Sequence, residues 1–167
     1  METPSSAERR QEGRTSVTSE GQVLLAEDSD TDAELTVRAL RRGGLVGTIV
    51  RARDGAEALD YLFHRGVFAD RARALPRLVL LDLHMPRVDG LEVLRQIKSS
   101  PPLRGIPVVM LTSSNAQEDI AASYGLGTNS YLVKPVDFTR FVADVAEAGR
   151  YWMALNQACP PVSPQAS

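Results

Sequence analysis

The 167-residue chain sets 19 Lys and Arg against 21 Asp and Glu, a formal net charge of −2, and carries a single cysteine. That balance gives no general pull toward nucleic acid or an anionic membrane surface, and one cysteine allows no internal disulfide and fits a reducing cytoplasm. The length suits one domain with a sizeable core, no apolar run reaches the roughly 18 residues of a membrane span, and the N-terminus has no apolar signal core.

Residues 1–21 are rich in Ser, Thr, Glu and Arg and nearly devoid of large apolar side chains, so burial cannot offset their ordering entropy. A flexible tail is expected there, and Pro160, Pro161 and Pro164 mark a second over 158–167. The folded domain is then 22–157. Gln22 to Ala26 reads as a short apolar strand ending in Glu27-Asp28; Asp30 or Thr31 caps a helix that runs to Arg42 and stops at Gly43-Gly44. Thr48 to Arg53 is a second strand, and a helix follows Asp54-Gly55 through Leu62. His64 to Pro76 is longer than an ordinary helix-to-strand connection and reads as a surface loop or helix extension, with His64 a solvated loop residue.

Leu78 to Leu81 form a continuous apolar run, the pattern of a strand covered on both faces, and Asp82 ends it. After Met85-Pro86, Asp89 is the N-cap of a helix with apolar residues at Leu91, Val93, Leu94 and Ile97. Lys98 falls on that helix's expected surface face. Ile106 to Leu111 is a fourth strand ending at Thr112, Asn115 to Tyr124 a weak helix, and Ser130 to Val133 a fifth strand ending at Lys134-Pro135. Asp137 caps a last helix extending to Leu155, whose stripe Phe138, Phe141, Val145, Tyr151 and Trp152 should pack on the sheet. Its end, at Tyr151, Trp152 and Leu155, exceeds what covering a short strand needs and could serve a partner or a homodimer. Five strands alternating with five helices argue for right-handed crossovers and a parallel sheet covered on both faces.

Candidate functional residues sit just past strands: Glu27 and Asp28, then Asp82, Thr112 and Lys134. Parallel strands bring all five to one edge, where ligands bind in open α/β sheets. Three crowded carboxylates demand a counter-charge, and an all-oxygen set favours Mg²⁺ or Mn²⁺ over zinc. Asp82 is a nucleophile that needs no general base near neutral pH, and its product would be an aspartyl phosphate. Lys134 could balance phosphoryl charge and Thr112 could donate to a phosphoryl oxygen. Taken singly, each has an ordinary reading: a turn Asp, a helix-capping acidic pair, a strand-end hydroxyl, a solvated lysine. The ordered set, in a chain with only two lysines, is what points to chemistry.

VLLAED, LVLLDLHMPRVDG, VVMLTSS and YLVKP, in this order and spacing, resemble the receiver domain of two-component response regulators over about residues 22–155. The resemblance implies a flavodoxin-like five-stranded parallel sheet in the order 2-1-3-4-5, phosphorylated by a partner histidine kinase. It implies Asp82 as phosphoacceptor; Mg²⁺ held by Asp28, Asp82, the backbone carbonyl of His84 and, through water, Glu27; Thr112 and Tyr131 as the switch pair; and Lys134 as the family's lysine, followed by a cis bond to Pro135. RGVFADR, GLGTNSYLVKPVDF and YWMALN resemble single-domain regulators that partner phytochrome-type kinases. The chain departs from the common pattern at His84, where many receivers carry Asn or Met, and at Thr128, where Ala is common.

The expected function is a phosphoacceptor that assists its own phosphorylation and dephosphorylation rather than a turnover enzyme, signalling by protein contact. Two other classes stay open. A pseudo-receiver would keep the fold without the chemistry, and a Mg²⁺-dependent aspartyl-phosphate phosphatase would use a second Asp at the position His84 occupies. Dinucleotide binding fails because no GxGxxG follows the first strand.

Overall fold

The computed structural model describes residues 21–160; of the tails expected over 1–21 and 158–167, residues 1–20 and 161–167 lie outside the described residues. The strands are β1 (Val23–Ala26), β2 (Ile49–Ala52), β3 (Leu78–Leu81), β4 (Val108–Thr112) and β5 (Ser130–Val133). The helices are α1 (Asp30–Arg42), α2 (Gly55–Leu62), α3 (Gly90–Ser99), α4 (Gln117–Leu126) and α5 (Phe138–Arg150). All strand pairs are parallel and the order is β2-β1-β3-β4-β5, the flavodoxin-like topology expected from the sequence.

Successive residues of a strand face opposite sides, and here both sides are dry. Leu24, Ala26, Val79, Leu81, Val108 and Met110 join one core layer with Leu59, Leu62, Val93, Leu94 and Ile97 of α2 and α3. Val23, Leu25, Leu78, Leu80, Val109 and Leu111 join the other with Leu40, Phe141, Val142 and Val145 of α1 and α5. Each buried Leu contributes about 2 kcal/mol of transfer free energy, which is why β1 and β3 read as unbroken apolar runs.

Local capping explains most helix starts. Asp54, Asp89 and Asp137 each accept the backbone N–H of the residue three positions on, at the starts of α2, α3 and α5. For α1 the cap is Ser29, whose hydroxyl accepts from the Asp32 N–H, rather than Asp30 or Thr31; Asp30 instead pairs with Arg51 and Arg53. α4 starts at Gln117, two residues later than expected, and its N-cap position, Ala116, offers no capping side chain. It ends at Leu126, where Gly127 takes a left-handed φ of 98°.

The His64–Pro76 connection contains a short 3-10 turn at Gly66–Phe68. Arg71 organises it, stacking its guanidinium 3.9 Å from the Tyr61 ring centroid while donating to the carbonyls of Tyr61, Ala72 and Ala74. Lys98 does not lie on a solvated face. It is half-buried, donates to the carbonyls of Arg104 and Ile106 and to Asn129 Oδ1, and its pKa is lowered by burial. α5 gives way at Tyr151–Leu155 to a wider π turn. Phe141 and Val145 pack on the sheet as expected, whereas Phe138 and Tyr151 are exposed. Residues 158–160 are exposed coil, with Cys159 lying beside Gly105.

Two glycines set the loop that carries Asp82. A Cβ at Gly90 would run into the Asp82 carbonyl oxygen, and one at Gly55 into that of Val88, so the β3–α3 connection lies directly on both helix starts. Between them Arg87 adopts φ 68°, rare for a residue with a Cβ, while its guanidinium reaches Asp54 at 3.3 Å.

Candidate acidic phosphoacceptor site

Register alone assembles the site. Ala26 pairs with Leu81, so Glu27 and Asp82 leave neighbouring strands at one level, held by the Asp82 N–H to the Ala26 carbonyl at 3.0 Å. Thr112 pairs with Val133, and the Lys134 N–H donates to the Thr112 carbonyl at 2.7 Å, which brings Lys134 to the same edge. Ligand oxygens of Glu27, Asp28 and Asp82 all lie within 4.8 Å of one another; Glu27 and Asp82 are buried and Asp28 is exposed.

Among the described residues, one side-chain cation lies within salt-bridge reach of these carboxylates. The Lys134 Nζ donates to Glu27 Oε2 at 2.6 Å and to Asp32 Oδ2 at 2.8 Å, and stands 3.7 Å from Asp82 Oδ2. Glu27 also accepts the Ser29 N–H at 3.0 Å. Burial drives the Glu27 pKa up to about 7 despite Lys134, and the Asp82 charge adds to the rise. Burial acts in the opposite sense on Lys134, but the hydrogen bonds from Asp32 and Glu27 outweigh it and hold its pKa above the ordinary lysine value. The two directions agree: one ammonium shared among several carboxylates stays charged, while the most buried carboxylate is drawn toward neutrality. The set is all-oxygen, partly open to solvent and short of positive charge, which fits a hard divalent cation.

Thr112 is fully buried at the end of β4, its Oγ1 accepting the Ser114 N–H at 3.3 Å. Tyr131 on β5 donates its hydroxyl to the Ser114 carbonyl at 2.9 Å, so the two residues meet on one loop. His84 is exposed, with Nε2 3.9 Å from Asp119 Oδ2 on α4. Thr128 is buried, its hydroxyl 3.0 Å from the Val108 carbonyl and so spent on the backbone. None of the described peptide bonds is cis. The Lys134–Pro135 bond is therefore trans, against the expectation; the intrinsic preference at an X–Pro bond is only about 1 kcal/mol, and local context decides it.

Two residues escaped the sequence reading. Asp32, one helical turn beyond Asp28, looks like an ordinary first-turn acid complementing the helix dipole. Arg51 looks like a solvated residue of an edge strand, yet it donates to the carbonyls of Glu27 at 3.1 Å and Asp28 at 3.2 Å and braces the acidic pair from behind. Both contacts span residues from different elements, and no local signal marks them.

The response regulator receiver domain model matches residues 23–146. The chain belongs to this family. Among its relatives, the probable methanogenesis regulatory protein FilR2 of Methanothrix harundinacea is 47% identical over 140 residues, 83% of this chain and 88% of its own length. Response regulator Rcp1 of Synechocystis sp. is 37% identical over 131 residues, 78% of this chain and 88% of its own. The crystal structure of the Mn²⁺-bound form of Rcp1 superposes on this receiver with a TM-score of 0.78, at 34% identity, covering 84% of this chain and 99% of that one. The phosphorylated cyanobacterial phytochrome response regulator RcpA superposes with a TM-score of 0.79 at 36% identity, with the same coverage. Among the described residues of the receiver, no helix is long and apolar enough to cross a membrane.

Proposed function

We propose that this receiver accepts a phosphoryl group from a partner histidine kinase onto Asp82 and signals through phosphorylation-dependent protein contacts. The observation that carries this is the convergence of Glu27, Asp28, Asp82 and Lys134 at the carboxyl edge of the sheet. A carboxylate oxygen of Asp82 attacks phosphorus of the kinase's phosphohistidine; the P–O bond forms, the P–N bond breaks, and its electron pair leaves on the imidazole nitrogen. Asp28 and Asp82 would hold Mg²⁺ directly, with the His84 carbonyl, and Glu27 through water. The cation, when bound, neutralises phosphoryl oxygens in the transition state. Lys134 supplies positive charge from the other side and Thr112 a hydroxyl donor.

Loss of the Thr112 hydroxyl from its present place would free the Ser114 loop on which Tyr131 is tethered, shifting the population of the surface around α4 and β5. A phytochrome-type kinase is supported by the likeness to RcpA, and a homodimer by the exposed Val136, Phe138, Tyr151 and Leu155. The phosphatase reading lacks its acid/base: the position two beyond Asp82 holds His84, which is exposed and faces Asp119.

Intact mass after incubation with acetyl phosphate tests the reading. The expected result is one added phosphoryl group that requires Mg²⁺; no adduct together with no beryllofluoride complex would leave a pseudo-receiver.

A second expectation concerns pH. With its pKa raised to about 7, Glu27 is largely protonated at pH 6 and ionised at pH 8. Cation binding favours the ionised form and releases that proton, so Mg²⁺ affinity should rise about tenfold from pH 6 to pH 8. Calorimetric titration in two buffers of different ionisation enthalpy would read both the affinity and the proton; a flat profile would mean that Glu27 is not linked to the metal.

A further inference from the structure

The contacts of Lys134 are divided unevenly. An ammonium has three N–H donors, and two are taken, by Glu27 and by Asp32. The nearest oxygen of Asp82, at 3.7 Å, is beyond hydrogen-bond distance. The lysine is therefore an ion-pair partner of Asp82 without being a hydrogen-bond donor to it.

The two partners that hold it differ in what losing it would cost them. The Glu27 side chain is 2% exposed, so leaving its carboxylate without a cation would strand a buried charge. The Asp32 side chain is 39% exposed and lies in the first turn of α1, where water and the free N–H groups of the helix start can take over. A phosphoryl oxygen on Asp82 is a stronger acceptor than a single carboxylate oxygen. Of the two bonds that hold the ammonium, the one to Asp32 costs less to give up when that oxygen arrives.

We infer that Asp32 is a positioning residue of this receiver, a releasable anchor that keeps the Lys134 ammonium off Asp82 at rest and opposes the phosphorylated state. The inference rests on the reading of Asp82 as phosphoacceptor. Asp32 touches neither the acceptor nor the phosphoryl group; it acts through where it holds the lysine. Every phosphorylation event works against this anchor, so its strength sets the resting bias of the switch.

The test is beryllofluoride binding in the presence of Mg²⁺, measured on the full chain and on Asp32→Asn, Asp32→Ser and Asp32→Glu. Removing the anchor should tighten beryllofluoride binding about fivefold in the Asn and Ser variants, the worth of one partly exposed charge-assisted bond. The Glu variant, which restores a carboxylate at the same place, should return toward the parent affinity. Thermal melts of the same proteins separate the alternative: an acid that merely stabilises the start of α1 would change the melting temperature and leave beryllofluoride affinity alone. Unchanged or weaker binding in both the Asn and Ser variants overturns the inference while leaving Asp82 as acceptor. Failure of the parent chain to bind beryllofluoride at all overturns the acceptor reading and the inference with it.

Discussion

Asp82→Asn is expected to abolish the phosphoryl adduct entirely while leaving a protein that is folded and more stable than its parent in the absence of metal. An amide oxygen is not a nucleophile at neutral pH, and no neighbouring acid can replace it, because Glu27 is tied to Lys134 and to the Ser29 N–H and Asp28 faces solvent. The stability gain follows from charge. Asp82 is 8% exposed, sits within the acidic group and gets no hydrogen bond from Lys134, whereas its charge is one cause of the raised Glu27 pKa. Replacing it with a neutral side chain of the same shape removes that repulsion for a gain of about 1 kcal/mol, the usual size of a functional site's stability cost. Urea unfolding at pH 8 in a chelator measures it, and acetyl phosphate labelling measures the loss. A mutant that still takes up one phosphoryl group would move the acceptor elsewhere.

Lys134→Ala should have the largest effect on folding. The lysine side chain is 9% exposed and supplies the only cation within salt-bridge reach of Glu27 and Asp82 among the described residues. Removing one partner of a buried pair leaves the other uncompensated, at about 3 kcal/mol. The loss should depend on pH. Glu27 already has a folded pKa raised from 4.5 to about 7, so its proton uptake on folding adds stability that is fully present below pH 4.5 and is lost as pH rises through 7. Without Lys134 that folded pKa rises further, so the variant should lose stability more steeply than the parent between pH 5 and pH 8, and Mg²⁺ should restore part of it. Equal losses at both pH values would show that Lys134 acts through packing of its aliphatic stem rather than through charge.

Much of this molecule is legible in one dimension because its determinants are local. The apolar runs at Val23–Ala26 and Leu78–Leu81 announce strands covered on both faces, and the Asp-Gly pairs at 54–55 and 89–90 announce helix starts. The ring of acids past the strand ends follows from parallel order alone, and the structure brings Glu27, Asp28, Asp82, Lys134 and Thr112 to one edge. Where the local reading slipped, competition between neighbours decided. Ser29 took the cap expected of Asp30 because Arg51 and Arg53 hold Asp30, and Lys98 left the helix surface to satisfy carbonyls of the loop before β4.

What the amino-acid sequence by itself determined is the family, the strand order it implies and the identity of the phosphoacceptor candidate, because these depend on residue types at fixed spacings along the chain. Only the tertiary structure decided how the charges are shared. Asp32 and Lys134 lie 102 positions apart, and Arg51 reaches across 24 to the Glu27 carbonyl. Whether the lysine rests on Asp82, on the buried Glu27 or on the partly exposed Asp32 depends on differences of about an ångström among groups from separate elements. Coulomb energy and desolvation vary steeply over that distance, and no periodicity in the chain encodes it.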